Sequence, residues 1–113
     1  MSTGKKQLDV RARVTREARE LFASRGYDEV ETPCLVPSPG LDVHLAAFEV
    51  STVGKSRYLH TSPEYQMKRL LAEAWSRGER TQRMFQITRA YREGERGERH
   101  NPEFTILEFY RCL

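Results

Sequence analysis

The absences in this chain narrow its identity first. Its 113 residues hold two cysteines, Cys34 and Cys112, with no CxxC spacing and no clustering of the three histidines. That usage argues against a zinc site and a disulfide scaffold, and it fits a reducing cytoplasm. No apolar run approaches the roughly 18–20 residues that a membrane-spanning helix requires, and Met1–Lys6 holds no apolar signal-peptide segment. Internal repeats, low-complexity tracts and linker-like stretches are also missing. Apolar residues are sparse for a self-sufficient core, 38% against 31% charged, so the length admits one small domain or part of a larger one. A net charge of +3 and a pI near 9.1 permit anionic ligands without demanding nucleic acid.

What is present reads as alternating helices and strands. Leu8–Arg25 has the pattern of an amphipathic helix, with Val10, Val14, Ala18 and Phe22 at steps of four and Leu21 widening the stripe. Gly26 is placed to end it. Tyr27–Thr32 is a short extended segment stopped by Pro33. Cys34–Gly40, carrying Pro37 and Pro39, is expected to be a loop. Leu41–Val50 is expected to be a short helix or turn leading into a strand, with Asp42 and His44 on it; no partner at metal-ligand spacing makes His44 more than a surface histidine. Ser51–Ser56 reads as a turn around Gly54, and Arg57–His60 as a brief strand. A helix then starts at Thr61-Ser62-Pro63-Glu64, with Ser62 as its cap, Pro63 as its first residue and Glu64 at the positive end of its dipole. Its buried stripe is predicted as Met67, Leu70, Leu71, Ala74 and Trp75, with Gly78 as the stop.

The C-terminal third carries the densest chemistry. Arg83–Arg92 is a strand with Phe85, Ile87 and Tyr91 on one face and Met84, Gln86, Thr88, Ala90 and Arg92 on the other. After Pro102 the alternation resumes strictly: Phe104, Ile106, Glu108 and Tyr110 against Glu103, Thr105, Leu107, Phe109 and Arg111. The loop between, Glu93–Pro102, is longer than the usual hairpin connection of about 2–5 residues. Around it stand Arg92, Arg96, Arg99 and His100, side chains suited to phosphate. Phe104 offers a face on which a base stacks, and Glu95, Glu98 and Glu103 offer acceptors for amino groups or a Mg2+ shell. The same composition also fits a solvated loop whose charges cancel.

The exact strings favour the first of these. Tyr91-Arg92 followed by Arg99-His100-Asn101-Pro102-Glu103-Phe104-Thr105 resembles motif 2 of the class II aminoacyl-tRNA synthetases, in the lysyl branch. The continuation Leu107-Glu108-Phe109-Tyr110-Arg111 is most similar to the short paralogues of that branch that modify elongation factor P. The helix, Gly26 and the Glu29-Val30-Glu31-Thr32-Pro33 run resemble motif 1, which in the family forms the dimer interface with the proline at its turn. Thr61–Leu71 resembles the family's amino-acid-recognition segment, whose glutamate meets the substrate ammonium. Aspartyl and asparaginyl enzymes typically carry Gln at the place of Glu64, so a lysine-type substrate is implied.

The resemblance implies an α+β fold: the N-terminal portion of a class II catalytic domain, an antiparallel sheet with flanking helices, with motif 1 at about 8–33, the TSPE segment at 61–75 and motif 2 at about 83–111. It implies that Arg92 contacts the ATP α-phosphate and the substrate carboxylate. Arg99 and His100 would grip the outer phosphates. Asn101 would lie near the adenine, with Phe104 stacked on it. Ser62, Pro63 and Glu64 would hold the amino acid, with Tyr110 lining its pocket and Pro33 at a homodimer interface. ATP and Mg2+ would be the cofactors, with no metal ligand assigned within this chain. The acceptor would be a lysine of elongation factor P, or alternatively tRNA. Two departures stand out. The family's Phe-Arg-x-Glu is here Tyr91-Arg92-Glu93-Gly94, leaving Glu93 beside the arginine and Glu95 to replace the glutamate lost at Gly94. Leu113 follows motif 2 directly, without a motif 3, and too few residues precede the first helix for an anticodon-binding domain. The chain alone is therefore expected to adenylate little, and a non-catalytic nucleotide- or partner-binding remnant remains the third reading.

Overall fold

A computed structural model of the protein describes residues 3–38, 47–93 and 101–112. In chain order these form α1 (Thr3–Ser24), β1 (Asp28–Glu29), β2 (Leu35–Val36), β3 (Glu49–Thr52), β4 (Lys55–Leu59), α2 (Glu64–Ser76), β5 (Gln82–Tyr91) and β6 (Glu103–Cys112). The strands make two three-stranded sheets, ordered β1-β5-β6 and β2-β4-β3. The α+β class read from the sequence stands, with one refinement: β1 runs parallel to β5, while every other pairing is antiparallel.

The β5–β6 hairpin is the spine. Its register runs from Gln82↔Cys112 to Tyr91↔Glu103 without a slip. Period-2 patterning fixes that register, since moving by one residue would turn every apolar side chain of β6 to the wrong face. The exposure of β6 alternates along its whole length as the sequence predicted, with Phe104, Ile106, Glu108 and Tyr110 half-buried and their neighbours exposed. β5 is central, so Met84, Phe85 and Gln86 are buried in succession, covered on both faces.

α1 docks on the Phe85/Phe109 face through one residue. The Phe22 ring stacks on Phe85 (centroids 4.9 Å apart) and meets Phe109 at 5.2 Å and Tyr27 edge-on at 5.0 Å. Such pairs contribute about 0.5–1.5 kcal/mol each beyond the area they bury. Elsewhere in the expected stripe Ala18 is half-buried, but Val10, Val14 and Leu21 are about half exposed. Both helices end on a glycine in the left-handed region, Gly26 (φ 79°) and Gly78 (φ 88°). In each, the next amide returns to a carbonyl of the last turn, Tyr27 N–H to Phe22 and Glu79 N–H to Ala74.

Several local expectations are corrected. Leu35–Val36, expected inside a loop, pairs with β4, because Pro37 and Pro39 lie beyond Val36 and leave both residues free to pair. Ser51–Ser56, expected to be a turn, is two strand ends joined at Val53–Gly54; its polar sequence conceals the alternation. α2 begins at Glu64 with Pro63 at the cap position, one residue later than expected, since the Pro63 carbonyl already accepts the Met67 N–H (2.9 Å). Met67 and Ala74 are buried as expected and Leu70 and Leu71 half-buried. Trp75 is not. It lies exposed beneath the Arg80 guanidinium, 4.0 Å from the ring centroid.

Two buried contacts bind the elements together. Gln86 accepts the Thr32 N–H (2.9 Å) and donates through Nε2 to Thr32 Oγ1 (2.9 Å), tying the segment after β1 to the centre of β5. His60 joins the two sheets: its N–H donates to the Cys34 carbonyl (2.8 Å) and its carbonyl accepts the Tyr91 N–H (3.1 Å). Its Nε2 meets the Arg89 carbonyl (2.5 Å), which can only accept, so Nε2 carries the proton. A Gln86→Leu substitution should keep the volume but orphan the Thr32 N–H and Oγ1 and cost about 1–3 kcal/mol. Urea unfolding measures it, and an unchanged midpoint would contradict the clamp.

Candidate functional site

The face of the hairpin opposite α1 carries Ala90, Thr88, Gln86 and Met84 on β5 opposite Phe104, Ile106, Glu108 and Tyr110 on β6. Arg92, one residue past β5, extends the same face. Its backbone N–H donates to the Pro102 carbonyl (3.0 Å), closing the hairpin beneath it. Its Nε donates to the Thr61 carbonyl (3.2 Å), and its guanidinium carbon sits 5.0 Å from the centre of the Phe104 ring. The cation therefore links the hairpin to the turn that starts α2. A planar cation beside an aromatic face suits a ligand with a phosphate and a base.

That turn supplies the other half. Pro63 is fully buried and fixes the chain, while Ser62 is half-buried and its Oγ accepts the Glu64 N–H (3.3 Å). Glu64 opens α2 with its carboxylate about half exposed and paired to Lys68 Nζ at 2.6 Å. Across from it, Tyr110 donates its hydroxyl proton to Glu108 Oε2 (2.9 Å). Burial lifts the Tyr110 phenol far above the usual tyrosine range. The hydrogen bond to Glu108, then the charges of Glu108 and Glu64, add to it. Two carboxylates thus face one tyrosine, an arrangement that favours a cationic ligand.

Other predicted residues are placed as follows. Asn101 is exposed, and its Oδ1 accepts the Glu103 N–H (3.1 Å), capping the start of β6. Glu93 is exposed at the edge of the loop. Pro33 is exposed, beside the buried Thr32. Gly94, Glu95, Arg96, Glu98, Arg99 and His100, with Asp42 and His44, fall outside the described residues. No group of three or more His, Cys, Asp or Glu among the described residues is arranged to hold a metal. No described helix is long and apolar enough to cross a membrane.

The family model for class II tRNA synthetases (D, K and N) matches residues 2–112. This chain belongs to that family. Among its relatives is the elongation factor P–(R)-β-lysine ligase of Mannheimia succiniciproducens, 47% identical over 112 residues, covering 94% of this chain and 33% of that protein. The proteins of the same name from Salmonella paratyphi B and Salmonella enteritidis PT4 are each 47% identical over 107 residues, covering 89% of this chain and 31% of theirs. The chain spans about a third of the length of the curated relatives it matches.

In this class II synthetase chain, the structure brings together Arg92, Phe104, Ser62, Pro63 and Thr61, and sets Glu64 and Tyr110 near one another. It also adds residues that sequence reasoning assigned no role. Glu108 is the clearest, and a signal for it existed: a carboxylate on the inward face of a strand, between Ile106 and Tyr110, needs a partner. Gln86 and His60 carried no comparable signal, because their partners lie 54 and 29 residues away in sequence.

Glu108→Gln should bring the Tyr110 phenol down towards the ordinary tyrosine value while burial still holds it above. A group whose folded pKa is raised gives its full stability below the unfolded value of 10.0 and loses it as pH rises through the folded one. An alkaline titration by ultraviolet absorbance or ring-carbon NMR reads this out. Tyr110 titrating with the exposed tyrosines in the unsubstituted chain would contradict it.

Proposed function

We propose that this chain is the ATP- and amino-acid-binding face of a ligase that activates lysine or β-lysine and attaches it to a lysine of elongation factor P. The observation that carries the reading is Arg92, whose side chain spans the Thr61 carbonyl and the Phe104 ring. It lies where a substrate carboxylate held by the TSPE turn would meet a nucleotide stacked on the hairpin. The name shared by the 47%-identical relatives supports the substrate and acceptor. The breadth of the family model, which spans D, K and N synthetases, keeps tRNA as the alternative acceptor.

In the first step a carboxylate oxygen of the amino acid attacks the α-phosphorus of ATP. The bond to the bridging oxygen breaks and pyrophosphate leaves, giving an aminoacyl-adenylate. The acceptor amine then attacks the carbonyl carbon, forming an amide, losing a proton and releasing AMP. Neither step needs a side-chain nucleophile; positioning and charge neutralisation are the work. Arg92 neutralises the α-phosphate and orients the carboxylate. Phe104 stacks on the adenine, with Asn101 near it and Glu93 at its edge; Arg99 and His100 take the outer phosphates. Ser62, Pro63, Glu64, Tyr110 and Glu108 hold the amino acid, the carboxylates receiving its ammonium groups. Mg2+, if bound with ATP, would supply charge neutralisation, and no described residue is assigned to hold it. Residues 8–33, with Pro33, would be the dimer-forming motif.

Calorimetric titration with ATP and with lysine tests the division of labour. Arg92→Met should weaken ATP by roughly 10- to 100-fold, the size of a lost charge-assisted bond. Glu64→Gln should weaken lysine and leave ATP unchanged. Equal affinities in both variants and the unsubstituted chain would overturn the reading.

A further inference from the structure

The Glu64 carboxylate already holds an ammonium. Lys68, one turn along α2, places its Nζ 2.6 Å from Glu64 Oε1, and both side chains are more than half exposed. The spacing and order, Glu four residues ahead of Lys, are those of an ordinary helix-surface pair. The surroundings of this pair are not ordinary. Glu64 opens α2 at the turn whose Thr61 carbonyl holds the Arg92 Nε of the hairpin, and its charge adds to the rise of the Tyr110 phenol that donates to Glu108. The resident group is also the same chemical species as the end of a lysine side chain.

We propose that Lys68 is a built-in competitor for the amino-acid site. Its ammonium occupies the Glu64 subsite, neutralises it and holds its rotamer until an incoming substrate ammonium displaces it. This rests on the reading of Glu64 given above. The displacement is an exchange of one ion pair for another: the substrate ammonium forms the new contact, and the Lys68 ammonium goes to water. Because both partners are exposed, release is cheap. Lys68 therefore lowers affinity for the free amino acid modestly without blocking the site. Its effect on ATP, which meets Arg92 and Phe104 instead, should be negligible. The neighbouring Arg69 has the same charge and sits on the same helix, and no ion pair or hydrogen bond to Glu64 is recorded for it among the described residues.

The test is an NMR titration of the full chain with L-lysine, following the Glu64 carboxylate carbon and the Lys68 side-chain resonances. In the unsubstituted protein, saturation should move Lys68 to the shifts of an unpaired lysine as Glu64 moves to a new bound value. Lys68→Met should tighten lysine about two- to threefold, the scale of one such helix pair. Lys68→Arg should restore the original affinity. Arg69→Met, which removes the same charge, should leave it unchanged. If Glu64 responds to lysine but Lys68 does not move and Lys68→Met binds no more tightly, the competitor role is overturned and the Glu64 reading stands. If Glu64 responds in none of the proteins, both fall together.

Discussion

The dipeptide His60-Thr61 holds this structure in its working shape. Its backbone ties the end of β4 to the Cys34 carbonyl on one side and to the Tyr91 amide on the other, and the buried His60 ring adds a third tie at the Arg89 carbonyl. The two small sheets share no ladder among the described residues, so ties of this kind, with the Cys34 Sγ–Thr88 Oγ1 contact, join them. The Thr61 carbonyl then fixes the Arg92 side chain. Without that stretch the hairpin would still pair and α2 would still start at Glu64. Arg92 and Glu64 would then have no set relation to each other.

A consequence is that the site is organised by opposed charges on one surface. Arg92 lies at the loop end of the hairpin, beside Phe104, and the Tyr110–Glu108 pair lies further along β6, with Glu64 near it. An amino acid has a carboxylate at one end and at least one ammonium at the other, and a nucleotide has an aromatic base and phosphates. On the proposed reading, the face offers each of these a partner of matching chemistry. The apolar side of the sheet does the opposite work, anchoring α1 through the ring cluster at Phe22.

Much of this was legible in the chain itself, and the physical reason is that period-2 and helical patterns are local. The alternation from Phe104 to Arg111 gave both the β6 register and the face on which Tyr110 and Phe104 lie. The TSPE turn was readable because proline and glutamate favour a helix start. The misses have local causes as well. The polar hairpin of β3 and β4 carries no apolar alternation to mark its strands. Trp75 was assigned to the core by its spacing, yet a cation at Arg80 covers it instead. Val10, Val14 and Leu21 make a helical stripe whose exposure no local rule predicts, since it depends on how far the sheet reaches. Glu108 was visible on the right face, but its role needed the Tyr110 contact.

The most direct test of the account is where a lysyl-adenylate mimic sits on the chain. A sulfamoyl analogue, which joins adenosine to lysine without a labile bond, can be followed by intermolecular nuclear Overhauser effects. The account predicts contacts from the adenine protons to the Phe104 ring, together with contacts from the lysine methylenes to Tyr110. Contacts to another surface, such as the polar cleft lined by Gly26, Asp28, Glu79 and Arg83, would contradict it.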